Sequence, residues 1–204
     1  MKKIFFLIAL MLGTSTAIWA QKDAQAKKVL DKAANTFNAS KGVEIDFSMQ
    51  GGHDMRGTLK VRNSMFLLNS SGTTTWYDGR TQWTYQKASN EVSISTPTAA
   101  QLAKINPESW LYCYKKGFNY TYNGAKGNAH TITLTPEAKN QGVKSIVLVI
   151  NGSTYTPKSV TLTTTSGNST TILIRSYKTQ QGYSKATFTY PAGQYPKAEV
   201  IDLR

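Results

Sequence analysis

The chain has 204 residues, with 24 Lys and Arg against 11 Asp and Glu, a formal charge of +13, one cysteine and two histidines. A single cysteine, Cys113, excludes an internal disulfide framework, and His53 and His130 stand too far apart to form a metal-ligand spacing. The basic balance favours anionic partners, among them lipid headgroups and lipid-linked glycans.

Residues 2–20 open with Lys2 and Lys3, run apolar from 4 to 12, and end in small residues before Gln21. That run is shorter than the roughly 20 residues a spanning helix needs, so residues 1–20 are expected to be a cleaved export signal. No cysteine follows the run to accept a lipid, so the mature chain is expected to be a soluble periplasmic protein. Export makes nucleic acid an unsuitable partner. Roughly 180 residues remain, enough for one domain, residues 21–204, with its own core.

The first element is a helix over residues 23–39. Ala26, Val29, Leu30, Ala33, Ala34 and Phe37 form one apolar stripe, and Lys27, Lys28, Asp31 and Lys32 occupy the other side. After Gly42 the period changes to two. Val43, Ile45, Phe47 and Met49 alternate with polar residues, and Met55, Gly57, Leu59 and Val61 repeat the pattern. Asp78-Gly79 predicts a hairpin turn between strands at 73–77 and 82–86, and Ser89-Asn90 turns the chain into 91–95. Further strands are expected at 118–122, 131–135, 144–150, 159–164, 170–177 and 186–190. Connections this short predict an antiparallel meander of about ten strands, which would curl. Residues 145–150 and 171–174 are apolar on both faces, which suits a sheet covered on each side.

Two short helices interrupt the strands. One starts with Thr96 as cap and Pro97 in its first turn; the other follows Asn106-Pro107-Glu108 and carries Trp110, Leu111 and Tyr114. They are expected to cover one face of the curled sheet.

Catalytic chemistry is not visible. The chain has no Gly-x-Ser-x-Gly elbow, phosphate loop or Ser-x-x-Lys motif. Cys113 between two tyrosines reads as a buried, inert thiol, and Glu44 and Asp46 read as solvated acids on one strand face. The expectation is a protein that is not an enzyme, with no metal and no cofactor.

Five segments in register resemble the periplasmic outer-membrane lipoprotein carriers (LolA-like). They are the amphipathic helix with the strand at 43–49, the run Gly57-Thr58-Leu59-Lys60-Val61-Arg62, the hairpin at 76–85, Phe188-Thr189-Tyr190-Pro191-Ala192-Gly193, and Val200-Ile201-Asp202. The resemblance implies a mainly β, α+β fold: a strongly curved, incomplete antiparallel β-barrel whose N-terminal helix and short lid helices cover an apolar cavity. It implies a monomeric carrier that shields lipoprotein acyl chains for transfer to the outer membrane. Acylated lipoproteins, an inner-membrane lipoprotein-releasing transporter and an outer-membrane receptor would be its partners. Leu102, Ile105, Trp110 and Leu111 are the expected lid residues. Phe47, Leu59, Trp83, Tyr85, Val92, Ile94 and Leu148 are the expected cavity wall. Family members commonly carry Lys-Arg-Pro after the Gly-x-Leu-x-Val strand, where the arginine acts in lid opening; here the run is Arg62-Asn63-Ser64. Counting by twos puts Asn63 rather than Arg62 on the face of Leu59, so both are latch candidates.

A second reading keeps the fold and drops the transfer, giving a periplasmic sensor or module that binds a lipid or lipid-linked glycan. A third, drawn from the Thr- and Ser-rich strands, is an adhesive surface protein.

Overall fold

The computed structural model describes residues 22–51, 54–98, 101–102, 112–138 and 142–204. The expected export signal, His53, and the lid positions Ile105, Trp110 and Leu111 lie outside them.

One helix, α1 (Ala24–Ala39), precedes twelve strands in a single sheet. Asp23 caps α1 by accepting from the backbone N–H groups of Gln25 at 2.7 Å and Ala26 at 3.0 Å. Its other carboxylate oxygen accepts from the Tyr122 N–H at 3.2 Å, which ties the helix start to the sheet edge. The strands are β1 (Val43–Gln50), β2 (Met55–Arg62), β3 (Met65–Ser70), β4 (Thr73–Tyr77), β5 (Gln82–Gln86), β6 (Glu91–Ser95), β7 (Phe118–Ala125), β8 (Ala129–Pro136), β9 (Val143–Asn151), β10 (Pro157–Thr164), β11 (Ser169–Lys178) and β12 (Glu199–Asp202).

Their spatial order is β12-β6-β5-β4-β3-β2-β1-β11-β10-β9-β8-β7. Two meanders, β1–β6 and β7–β11, are therefore joined side by side where β1 pairs with β11. The sheet is not closed into a barrel, because β7 and β12 are its two edges. Residues of β3 and β9, which a flat sheet would hold about 24 Å apart, line one cavity, so the sheet curls around it.

The structure differs from the sequence expectations in three places. β3 has no predicted counterpart: Phe66, Leu67 and Leu68 are consecutive and apolar, and a strand covered on both faces does not alternate. Residues 186–190 do not form a strand; Lys185–Phe188 is a 3₁₀ turn that buries Phe188 completely. The expected alternation there comes from aromatic anchors, not from sheet pairing. Finally, the sheet is not wholly antiparallel. β12 runs parallel to β6, Val200 opposite Val92, because the long connection after β11 allows the chain to return in the same direction.

On the inner face, α1 lies across β7, β8 and β9. Val29, Leu30 and Ala33 are buried there with Tyr120, Ile132 and Leu134. A second cluster, Val43, Ile45, Leu59, Val61, Phe66 and Tyr77, covers the inner face of β1–β4. The outer face of β9 does not form the second core its sequence suggests. Val147 and Val149 are half-buried and pair with Thr133 and Thr131.

Candidate binding cavity

Between the two inner clusters lies a cavity of about 370 Å³. This falls within the range of about 300–1,000 Å³ typical of small-molecule pockets. Ala33 and Phe37 of α1 form one side. Strands on both sides of the β1–β11 seam form the rest, including Met49, Met55, Leu68, Val160, Ile172 and Ile174. Ser70 and the Tyr177 hydroxyl are the polar exceptions in this wall. Burial pushes the Tyr177 phenol far above its usual range, so it remains neutral at any physiological pH. Apart from these two hydroxyls, the described wall is hydrocarbon and thioether, a surface that excludes water.

The strand pairing decides which predicted residues reach this space. Phe47, Leu59 and Leu148 line it. Leu102 is half-buried and packs on the inner cluster around Leu59 and Phe66, on the expected side of the sheet. Its helix starts later than predicted. Thr98, not Thr96, is the cap: the Gln101 N–H donates to Thr98 Oγ1 at 3.3 Å, while the Thr98 N–H donates back to Gln101 Oε1 at 2.8 Å. This reciprocal pair is a capping box. The second predicted helix is described only at its end, where Tyr112 and Tyr114 donate to Asn38 and Asp31 of α1.

Trp83, Tyr85, Val92 and Ile94 lie elsewhere. Leu68 of the cavity wall is opposite Thr75, and Thr75 is opposite Thr84. The inner face thus continues through Thr84 and Ser93, and the four predicted residues alternate onto the outer face. There they join Trp76 beneath the segment that leads to β12. Trp76 meets Tyr190 and Tyr195 edge-on at centroid distances of 5.4 and 5.8 Å, and Tyr85 meets Tyr195 at 4.5 Å. The sequence showed their apolar parity without showing which face carried it. The face is set by the pairing of β3, whose sequence carries no alternation.

Neither latch candidate faces the cavity. No bulge interrupts the β2–β3 pairing, and Arg62 stays on the outer face, where its guanidinium donates to the Tyr183 carbonyl. Asn63 occupies the tight turn between the two strands with φ of 53°, a left-handed conformation that Asn tolerates. Close by, Glu44 accepts from Lys178 at 2.8 Å and from the Tyr183 hydroxyl at 2.9 Å, with Lys60 at 3.6 Å. Glu44 is thus a bound anchor for the C-terminal segment, not the solvated acid its position suggested. Cys113 is partly buried against the cluster beneath α1, and that burial raises its thiol to about 11.

The architecture is thus an open curled sheet with a helix across it and an apolar space beneath. The sequence matches the family of the outer membrane lipoprotein carrier protein LolA over residues 16–168, and the chain belongs to that family. No match was found among curated proteins. Among solved structures, it is similar to an uncharacterized conserved protein from Thermus thermophilus at 14% identity, covering 87% of this chain and 99% of that one, with a TM-score of 0.62. It is also similar to the Mycobacterium tuberculosis lipoprotein LppX at 12% identity, 79% and 98% coverage and a TM-score of 0.51. A LolA superfamily protein from Nitrosomonas europaea aligns at 11% identity over 81% and 97%, with a TM-score of 0.41. At these identities the likeness concerns the fold. Among the described residues no helix is long and apolar enough to cross a membrane.

Proposed function

We propose that this protein is a periplasmic carrier that shields the acyl chains of lipoproteins on their way to the outer membrane. The observation that carries the reading is the apolar cavity shared by α1 and the two meanders, in a chain of the lipoprotein-carrier family. Each acyl methylene removed from water contributes about 0.8 kcal/mol, so a wall without charges supplies what such cargo needs. Residues 1–20 act as the export signal. Leu102, packed on the inner cluster, belongs to the cover, and the cargo is received from an inner-membrane releasing transporter.

The experiment combines cargo analysis with a filled cavity. Mass spectrometry of material extracted from the periplasmic protein is expected to find acylated peptide or lipid. Met49→Trp, which places an indole in the cavity, is expected to abolish uptake of a fluorescent acyl probe with little loss of stability. If the space is instead a closed core, the wild type takes up no probe and the same change costs about 1–3 kcal/mol by overpacking.

The outward position of Arg62 favours a second reading, a module that binds lipid without transferring it. Transfer of a labelled lipoprotein from the carrier to outer-membrane vesicles separates the two, and a bound probe that never transfers supports the binding module.

A further inference from the structure

A second concavity, about 1000 Å³, opens on the outer face of β1–β5. Its floor is polar, with Thr58, Asn69 and Thr74 side by side across β2, β3 and β4. Tyr195, its ring tilted against that of Tyr85, stands at one side. Three cations line it: Arg56, Lys87 and Arg175. A bulge opposite Asp46 and Phe47 turns Arg175 to this face, where its Nε donates to the buried Ser48 hydroxyl at 2.9 Å. That bond uses Nε alone, and Arg175 makes no other hydrogen bond or ion pair among the described residues. The side chains of Arg56 and Lys87 pair with no other described residue. Among the described residues Asp46 is the one acid in the lining, and it already accepts from Thr58 at 2.9 Å. The cleft therefore offers an excess of donors and positive charge.

We propose that this outer cleft binds an extended acidic polypeptide segment. Arg175, Arg56 and Lys87 stand on β11, β2 and the end of β5, which spreads the charge over five strand spacings, about 24 Å. A single phosphate cannot engage positions so far apart, whereas an extended chain of about seven residues spans them. The cleft and the apolar cavity share Phe47 and Ser70 as lining residues, so they meet beside the β3–β4 turn. Resting on the carrier reading, the segment is the stretch of cargo that follows its acylated residue: the chain enters the cavity and the acidic stretch lies outside.

Fluorescence anisotropy with an unacylated peptide of about ten residues, alternating Glu and Ser, tests the site on the purified protein. Saturable binding that weakens as salt is raised is expected, and a Gln/Ser peptide of the same length is expected not to bind. Arg56→Glu combined with Lys87→Glu is expected to lower affinity at least about tenfold and to leave acyl-probe uptake unchanged. Both side chains are exposed and unpaired, so the reversal leaves the fold intact, which circular dichroism verifies. Arg56→Lys is expected to restore most of the binding. Equal binding of acidic and neutral peptides, or unchanged affinity in the reversed variant, overturns the proposal. Preferential binding of polygalacturonate at equal charge overturns it in favour of an acidic glycan. Probe uptake without peptide binding rejects the cleft alone; peptide binding without probe uptake rejects the carrier reading and leaves the peptide site standing.

Discussion

Gly57 has no room for a side chain. A Cβ added there would sit 2.5 Å from the Asn69 carbonyl oxygen and 2.6 Å from Phe47 Cζ. The first contact is backbone and cannot give way, so the constraint is close approach and not an unusual φ. Gly57→Ala is expected to cost about 1–3 kcal/mol in urea unfolding and to disturb probe uptake by displacing the Phe47 ring. Glu44 gives a pH signature. Hydrogen bonding from Lys178 first, then from Tyr183, holds its carboxyl below the usual range, with burial opposing and Lys60 adding to the effect. A pKa lowered by folding adds stability above the unfolded value of about 4.3, and that stability is lost as pH falls through the folded value. Glu44→Gln is therefore expected to unfold at lower urea than wild type at pH 7, and the gap is expected to close in acid below the folded value. A gap that persists unchanged in acid rejects this linkage.

At the scale of the element, α1 both seals a core and walls a cavity. Leu30 is fully buried over β7–β9, whereas Phe37, two turns on, is half-buried at the cavity. Leu30→Ala is expected to cost about 2–5 kcal/mol, and Phe37→Ala less than an equally sized core deletion, because its site is already open on one side. Chemical denaturation compares them directly. The helix was legible because its stripe repeats at 3.6 residues, and most strands because they alternate. β3 was not, since Phe66, Leu67 and Leu68 are covered on both faces and carry no period. Without β3 the parity of β4–β6 relative to β2 could not be counted. That is why the alternation does not show that Trp83, Tyr85, Val92 and Ile94 lie on the face opposite Phe47 and Leu59.

For the molecule as a whole, the outer face of β3–β6 depends on a segment that follows the sheet's main body. Trp76 and Val92 are 5% and 0% exposed, with Tyr190 and Tyr195 of that segment against Trp76. Deleting residues 183–204 is expected to expose this aromatic face, increase binding of a hydrophobic dye and promote aggregation. A truncated chain that stays monomeric and dye-negative would show that the sheet is self-sufficient.

The pairing of β1 with β11 has a consequence for how the chain reaches this structure. Asp46 meets Ser176 across about 130 intervening positions, while nearly every other neighbouring pair is local hairpin closure. Each meander can assemble on its own, but their junction waits for a long loop to close, at an entropy cost that the hairpins do not carry. Until then β1 and β11 are both bare edges bearing Ile45, Phe47, Ile172 and Ile174, the kind of strand that pairs with the wrong partner. Refolding is expected to show early hairpin formation, followed by a slower phase in which hydrophobic-dye fluorescence falls. The junction that brings the two walls of the cavity together is also the step at which the unfinished chain is most open to misassembly.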